Sequence, residues 1–251
     1  NALASPPDFD PNFELIETFS DTNHLSGRIG FGFWGMGAFG NNQNQINGIP
    51  IPTGGFVDNI VVKSPVGGPI VFSEDWETSP LTNEFPAGWA NAYDAGDFLF
   101  GDWRMSAHGT IMQESNIGFS STGTPSVPRA DVDGTVFLAP NQGVTNYLLQ
   151  VGLHPYDDDG VGVVYDFKDT NNYARVMFVA EASADGRIPQ GLSISRKSGG
   201  VWSDIAAGDQ AFVFTPGRPF EVQLANNNGA FHLMVRDLDN PASTFNWSWT
   251  D

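Results

Sequence analysis

The chain has 251 residues and a formal net charge of −18 at pH 7, because 29 acidic side chains face only 11 basic ones. This charge repels phosphate backbones and anionic lipids, which argues against nucleic acid as a partner. The sequence contains no cysteine, which excludes disulfides, thiolate metal sites and a cysteine nucleophile. No apolar run approaches the roughly 20 residues that a membrane-spanning helix needs.

The surplus of carboxylates has two possible explanations, and composition alone does not distinguish them. Divalent cations relieve such repulsion in calcium-rich extracellular water, and halophilic or marine proteins carry similar surfaces. Hydrophobic residues make up 40% of the chain, with 20 Phe and 7 Trp, which is enough apolar material for one large core. We therefore expect a single domain over residues 1–251. The first residues, from Asn1 to Pro7, read as the start of a processed or excerpted chain, and we expect the protein to be secreted.

Short β-branched and aromatic segments recur between clusters of Gly, Pro, Asn and Asp. No stretch of a dozen residues keeps helical spacing, so we expect very little helix. The segment Asn226–Gly229 predicts a hairpin turn, since Asn-Gly tolerates the positive φ of a tight turn. The predicted strands are Arg28–Phe33, Phe56–Val62, Ile70–Phe72, Thr135–Leu138, Tyr147–Leu153, Gly162–Phe167, Tyr173–Val179, Leu192–Arg196, Phe220–Leu224 and Phe231–Arg236.

An acidic loop that opens a strand, followed by a polar turn and an Asn-Tyr pair, forms a recognisable pattern at Tyr156–Phe167 and Asp169–Phe178. It resembles a signature of concanavalin A-like and laminin G-like modules, and is similar to the C-terminal lectin-like domain of thrombospondins. Further elements of this family's consensus are Phe72–Glu77, Gly88-Trp89, Asp102–Arg104 and Ile111–Gln113. The resemblance implies an all-β, concanavalin A-like jelly-roll sandwich of two antiparallel sheets.

The order of the family elements is rotated in this chain. Ser26–Trp34 and Phe56–Val62 resemble the family's closing elements, yet they precede its opening elements at 70–89. Residues 1–65 thus correspond to the family's C-terminal strands, and residues 66–251 to its main body. A natural circular permutation, a repeat cut from a tandem array, and strands donated to a neighbour all remain open. Folding back completes the sandwich, whereas donation propagates into a head-to-tail filament.

The resemblance also implies a calcium ion that ties the first strand of the sandwich to the last. Calcium takes six to eight oxygen ligands from carboxylates, carbonyls and water. The family pattern would bring Asp58 close to Glu74, Asp75 and Glu77. We therefore expect calcium at this junction.

A second candidate metal site is the acidic loop formed by Asp157, Asp158 and Asp159. Three adjacent carboxylates repel one another unless a cation or solvent screens them. A solvated acidic loop is the alternative interpretation.

Tryptophan rings exposed on a sandwich can stack on the apolar face of a sugar. The tryptophans inside the family's consensus elements are assigned to the core. Trp202, Trp247 and Trp249 lie outside them and are candidates for ligand binding, or equally for a contact between subunits.

No catalytic residue is assigned, and we expect the chain not to be an enzyme. The Glu-x-Asp-x-x-Glu motif of the laminarinase-like members is missing, and the 4 His lie in no lyase pattern. No Gly-x-Ser-x-Gly or His-Glu-x-x-His motif occurs either.

The sequence thus favours a non-catalytic, extracellular structural or adhesive module at the cell surface. We expect it to be stabilised by calcium and to assemble with copies of itself, as a filament or tandem array, by strand complementation. The alternative is a lectin-like module that binds a polysaccharide. A polysaccharide lyase or hydrolase is supported by fold analogy alone.

Overall fold

The structure, a computed structural model, describes residues 27–34, 45–46, 49–50, 55–74, 88–95, 103–105, 110–113, 134–141, 143–156, 158, 160–182, 189–209, 211–240 and 242–250. These residues form β-strands and no helix. The strands are β1 (Arg28–Trp34), β2 (Gln45–Ile46), β3 (Ile49–Pro50), β4 (Gly55–Lys63), β5 (Ile70–Glu74), β6 (Ala90–Ala95), β7 (Trp103–Met105), β8 (Ile111–Gln113), β9 (Gly134–Leu138), β10 (Tyr147–Pro155), β11 (Gly160–Asp169), β12 (Asn172–Val179), β13 (Gly191–Ser198), β14 (Val201–Asp209), β15 (Phe220–Asn227), β16 (Ala230–Asp237) and β17 (Thr244–Thr250).

Two antiparallel sheets pack face to face. The seven-stranded sheet has the order β14-β13-β12-β11-β1-β9-β6. The eight-stranded sheet has the order β17-β16-β15-β10-β4-β8-β7, and β5 pairs with β4 beside it. The small pair β2-β3 stands apart from both sheets. The prediction of an all-β sandwich of two antiparallel sheets is therefore confirmed.

The strands that come first in the chain occupy inner positions. Strand β1 lies between β9 and β11, where Phe31 is opposite both Phe137 and Val163. Strand β4 lies between β10 and β8, where Val57 is opposite Leu153 and Ile111. All six side chains are fully buried in one core. In this structure β1 and β4 thus pair within their own chain, one inside each of the two sheets.

Aromatic side chains fill the space between the sheets. Offset and edge-on ring pairs add stabilisation beyond the apolar area that they bury, roughly 0.5–1.5 kcal/mol for each pair. They form three groups along the sandwich, with ring centroids about 5 to 6 Å apart: Trp89, Phe137 and Trp103; Tyr165, Phe231 and Trp249; Phe178, Phe212 and Phe220.

All ten predicted strands are present, most of them one to three residues longer than the sequence pattern suggested. The predicted hairpin joins β15 to β16, and Asn228 and Gly229 take φ values of 52° and 87° in its turn. Sequence reasoning did not assign β2, β3, β6, β7, β8, β14 and β17. Of these, β7 and β8 are three residues long, too short to show an alternating pattern.

Candidate functional site

The outer face of the eight-stranded sheet is polar where its strands alternate between core and surface. The pairing register places Asp58, Gly152, Glu221, Arg236 and Thr244 in one row across five neighbouring strands. The same register places two further rows of paired residues parallel to this one, on the same face of the sheet. We call the outward polar side chains of β10 and β15 to β17 the polar face: Gln150, Glu221, Gln223, His232, Arg236, Thr244, Asn246 and Ser248.

Glu221 is the centre of a hydrogen-bond network on this face. Its Oε2 accepts a hydrogen bond of 2.8 Å from Gln150 Nε2. Its Oε1 accepts hydrogen bonds of 2.9 Å from Gln223 Nε2 and from Arg236 Nη2. Although it points away from the core, Glu221 is only 5% exposed. Three strands are thus cross-linked through one buried carboxylate.

Two polar atoms of the network remain without a hydrogen-bond partner among the described residues. They are Oε1 of Gln223, a residue that is 3% exposed, and Nε of Arg236. One atom accepts hydrogen bonds and the other donates them. Since buried polar groups are nearly always paired, these two atoms mark the network as a place where a polar ligand or water can be held.

The margin of the polar face along β16 and β17 is open and uncharged. Thr244, Asn246 and Ser248 are exposed, and His232 Nδ1 lies 2.7 Å from Ser248 Oγ. Burial lowers the pKa of His232 below its usual value, and a hydrogen bond with Asn246 opposes this only in part. Burial therefore favours the neutral form of this imidazole. Neutral imidazole, amide and hydroxyl groups can each both donate and accept hydrogen bonds.

The predicted calcium junction is described only in part, since Asp75 and Glu77 lie outside the described residues. Asp58 is buried, faces outward beside Gly152, and its Oδ1 accepts a 2.7 Å hydrogen bond from the backbone N–H of Asn59. Glu74 lies opposite Ile60, whose side chain is in the core. The pairing register therefore directs Asp58 and Glu74 to opposite faces of the sheet.

The acidic loop is the other predicted calcium site. Asp157 and Asp159 lie outside the described residues, but Asp158 lies two residues before β11, next to the end of β12. Its carbonyl oxygen accepts hydrogen bonds of 3.0 Å from the N–H groups of Ala180 and Glu181. A hydrogen bond to the Asp158 carboxyl, and repulsion from it, raise the pKa of Glu181. Two carboxylates therefore meet at this end of the sheet.

Sequence reasoning missed Glu181, although a signal was present. In an antiparallel pair the residues after one strand lie beside the residues before its neighbour. Gly160 pairs with Val179, so residue 181 had to lie near residue 158. Among the described residues, no group of three or more His, Asp or Glu side chains is arranged to hold a metal ion.

Trp202, a predicted ligand-binding residue, lies on the outer face of the seven-stranded sheet and is only 7% exposed. Its ring meets Tyr173 edge-on at 5.1 Å, and the Arg175 guanidinium lies 4.1 Å from its centre. Lys197 Nζ lies 5.6 Å from the same ring. Cations and aromatic rings thus already contact this tryptophan, which leaves no open ring face for a sugar.

Trp247 and Trp249, the other two predicted ligand-binding residues, point from β17 toward the core. Trp249 stacks on Phe231 at 5.2 Å and is 9% exposed. Trp247 is half-buried and packs against the same core. The polar face beside them consists of hydrogen-bonding groups instead of aromatic rings.

The described residues contain no helix that is long and apolar enough to cross a bilayer. No protein-family model matches the chain. No curated protein matches it, and no solved structure does.

Proposed function

We propose that the chain is a non-catalytic, secreted, lectin-like module that binds a neutral polysaccharide on its polar face. The observation that supports this is the uncharged margin formed by His232, Asn246 and Ser248 in a protein whose net charge is −18. Sugar hydroxyls donate and accept hydrogen bonds, as these three side chains do. An anionic polysaccharide would be repelled by the acidic protein as a whole.

The spacing of the margin suits such a ligand. Paired residues on neighbouring strands lie about 5 Å apart and alternate residues along one strand about 7 Å apart, distances that neighbouring sugar hydroxyls can bridge. Glu221 holds the Arg236 guanidinium in place at the inner side of this margin. A fixed donor loses little conformational entropy when a ligand binds, which favours affinity.

A glycan array followed by calorimetry tests this function. We expect binding to at least one neutral glycan, weakened about tenfold or more in a variant that combines His232→Leu and Ser248→Ala. Ser203→Ala, an exposed serine on β14 of the other sheet, is the matched control and should bind as the native chain does. A folded native chain that binds no neutral glycan would contradict the proposal.

We also propose that calcium binds where Asp158 and Glu181 meet. Carboxylate oxygens are ligands that calcium prefers, and a divalent cation would convert the repulsion between these two side chains into attraction. Hydrogen bonds from the Ala180 and Glu181 N–H groups hold the Asp158 backbone in place beside Glu181.

Filament assembly by strand donation can be tested directly. Donation of β1 and β4 to a neighbour would remove an inner strand from each sheet and expose Phe31 and Val57. The arrangement therefore favours a self-closed module. In negative-stain electron microscopy of native material we expect isolated particles with or without a calcium chelator; filaments that fray on chelation would instead support donation.

A further inference from the structure

Strand β17 lies at the edge of the eight-stranded sheet and is a candidate interaction surface. This strand pairs with β16 on one side, and no described strand pairs with it on the other. An edge strand presents unpaired N–H and C=O groups that can pair with another chain, and most proteins protect such edges with charges, bulges or short length.

The other edge strands of the two sheets carry these protections. Asp204 and Asp209 lie on β14, whose pairing also shifts register twice. Strand β6 pairs through a register shift, and β7 is only three residues long. Strand β5 contains Glu74 and a register shift. Strand β17 differs from all of them: it has seven residues, Thr-Phe-Asn-Trp-Ser-Trp-Thr, with no charge, no proline and no register shift.

The sequence of β17 is also complementary to itself. When two copies run antiparallel about a two-fold axis through Trp247, like side chains face each other. Phe245 lies opposite Trp249 on the core side, and Asn246 opposite Ser248 on the outer side, with the terminal threonines opposite one another. Aromatic pairs and hydroxyl or amide pairs at directly opposed positions stabilise antiparallel strands by roughly 0.2–1 kcal/mol each.

Two physical effects favour association of two copies through this edge over association through the rest of the surface. Phe245 and Trp247 are half-buried, and a neighbouring strand would remove more of their apolar area from water. Two molecules of charge −18 repel each other, and β17 is a place where they can touch without opposing carboxylates.

We propose that β17 pairs with β17 of a second copy of this chain in a two-fold dimer. One antiparallel sheet then continues through both subunits, and the two polar faces lie side by side on it. The contact is the same patch on both subunits, so it closes at two copies and does not propagate. A single-strand interface is small, so we expect a dissociation constant on the order of 10 μM or weaker.

Sedimentation equilibrium of the full chain, without glycan, from about 1 to 500 μM tests the dimer over the range that a weak interface requires. We expect a concentration-dependent rise from the 27.1 kDa chain to twice that mass, strengthened by added salt because salt screens the repulsion between acidic subunits. A monomer over the whole range would overturn the proposal.

A pair of double variants at the same two positions tests the register. Asn246→Lys with Ser248→Lys places like charges opposite each other twice across the axis, and we expect a monomer. Asn246→Lys with Ser248→Asp places opposite charges there, and we expect the dimer to persist. Thermal unfolding of both variants checks that the subunit remains folded. Loss of the dimer in both variants, or its survival in both, would overturn the pairing proposed here.

Discussion

Glu221 accepts hydrogen bonds from three side chains on three strands, so its removal leaves several buried polar groups without a partner. Breaking a buried charge pair costs several kcal/mol because the remaining charge is desolvated and uncompensated. We expect Glu221→Ala to lower the free energy of unfolding by about 3 kcal/mol in urea titration. Glu221→Gln keeps one acceptor and the shape, and should cost less; equal losses would contradict a role for this network.

Glu181 predicts an unusual dependence of stability on pH. Because the pKa of this carboxyl is raised in the folded chain, its contribution is present below its unfolded pKa of about 4.3 and is lost as pH rises through the folded value. Glu181→Gln should therefore raise the thermal unfolding midpoint at pH 7 and leave it unchanged near pH 3.5. A variant that is less stable at pH 7 would show that repulsion from Asp158 is not the dominant interaction.

The same position tests calcium binding. We expect added calcium to raise the unfolding midpoint of the native chain at pH 7 and to have little effect on Glu181→Gln, because the variant lacks one of the two carboxylates. Magnesium is the control, since its small octahedral shell suits two carboxylates on a loop less well. An equal response of both proteins to calcium would place the ion elsewhere.

At the scale of residues, the sequence predicts the type of a side chain better than its surroundings. The alternation in β15 directs Glu221 and Gln223 outward, where such residues are ordinarily solvated. Their burial and their hydrogen bonds depend on β10 and β16, which are distant in sequence. Asp158 was a candidate from its acidic neighbours alone, whereas Glu181 could be found only by pairing two consecutive predicted strands, β11 and β12.

Among the strands, β11 and β12 approach so closely that one glycine is required. A Cβ on Gly162 would overlap the carbonyl oxygen of Val176, which is backbone and cannot rotate away. We expect Gly162→Ala to cost about 2–3 kcal/mol of unfolding free energy. Gly143 has a positive φ of 60° but open space around its Cα, so Gly143→Ala should cost only about 1 kcal/mol. Similar losses for both variants would contradict the close approach.

The strands that were not predicted differ in how clearly their sequences alternate between polar and apolar residues. Strand β17 alternates polar and aromatic residues without interruption, so its pattern was present in the sequence and was overlooked. Strand β14 ends in Ala-Ala-Gly-Asp and pairs through two register shifts, so no regular alternation remains to be read. Bulges break the two-residue period on which strand prediction depends.

For the whole molecule, the resemblance suggested by the sequence left the position of residues 1–65 open. The pattern of β1 and β4 predicted strands, but which strands they pair with is decided by contacts across the entire chain. Amide hydrogen exchange checks the answer. We expect amides of β1 and β4 to exchange as slowly as those of β10 and β11, and amides of the edge strand β14 to exchange faster. Rapid exchange confined to β1 and β4 would contradict self-closure.

The inner position of β1 has a consequence for how the protein is made. Arg28 at its start bonds the carbonyl of Ala139, 111 residues later, so the partner of β1 is synthesised long after β1 itself. At about 5–20 residues per second this leaves Phe31 and its neighbours unpaired on the ribosome for roughly 5–20 s. Neither sheet can close until β9 to β11 have emerged, because β1 and β4 lie inside the two sheets. The side chains of β1 and β4 that form the core therefore stay exposed to water until those later strands have been made.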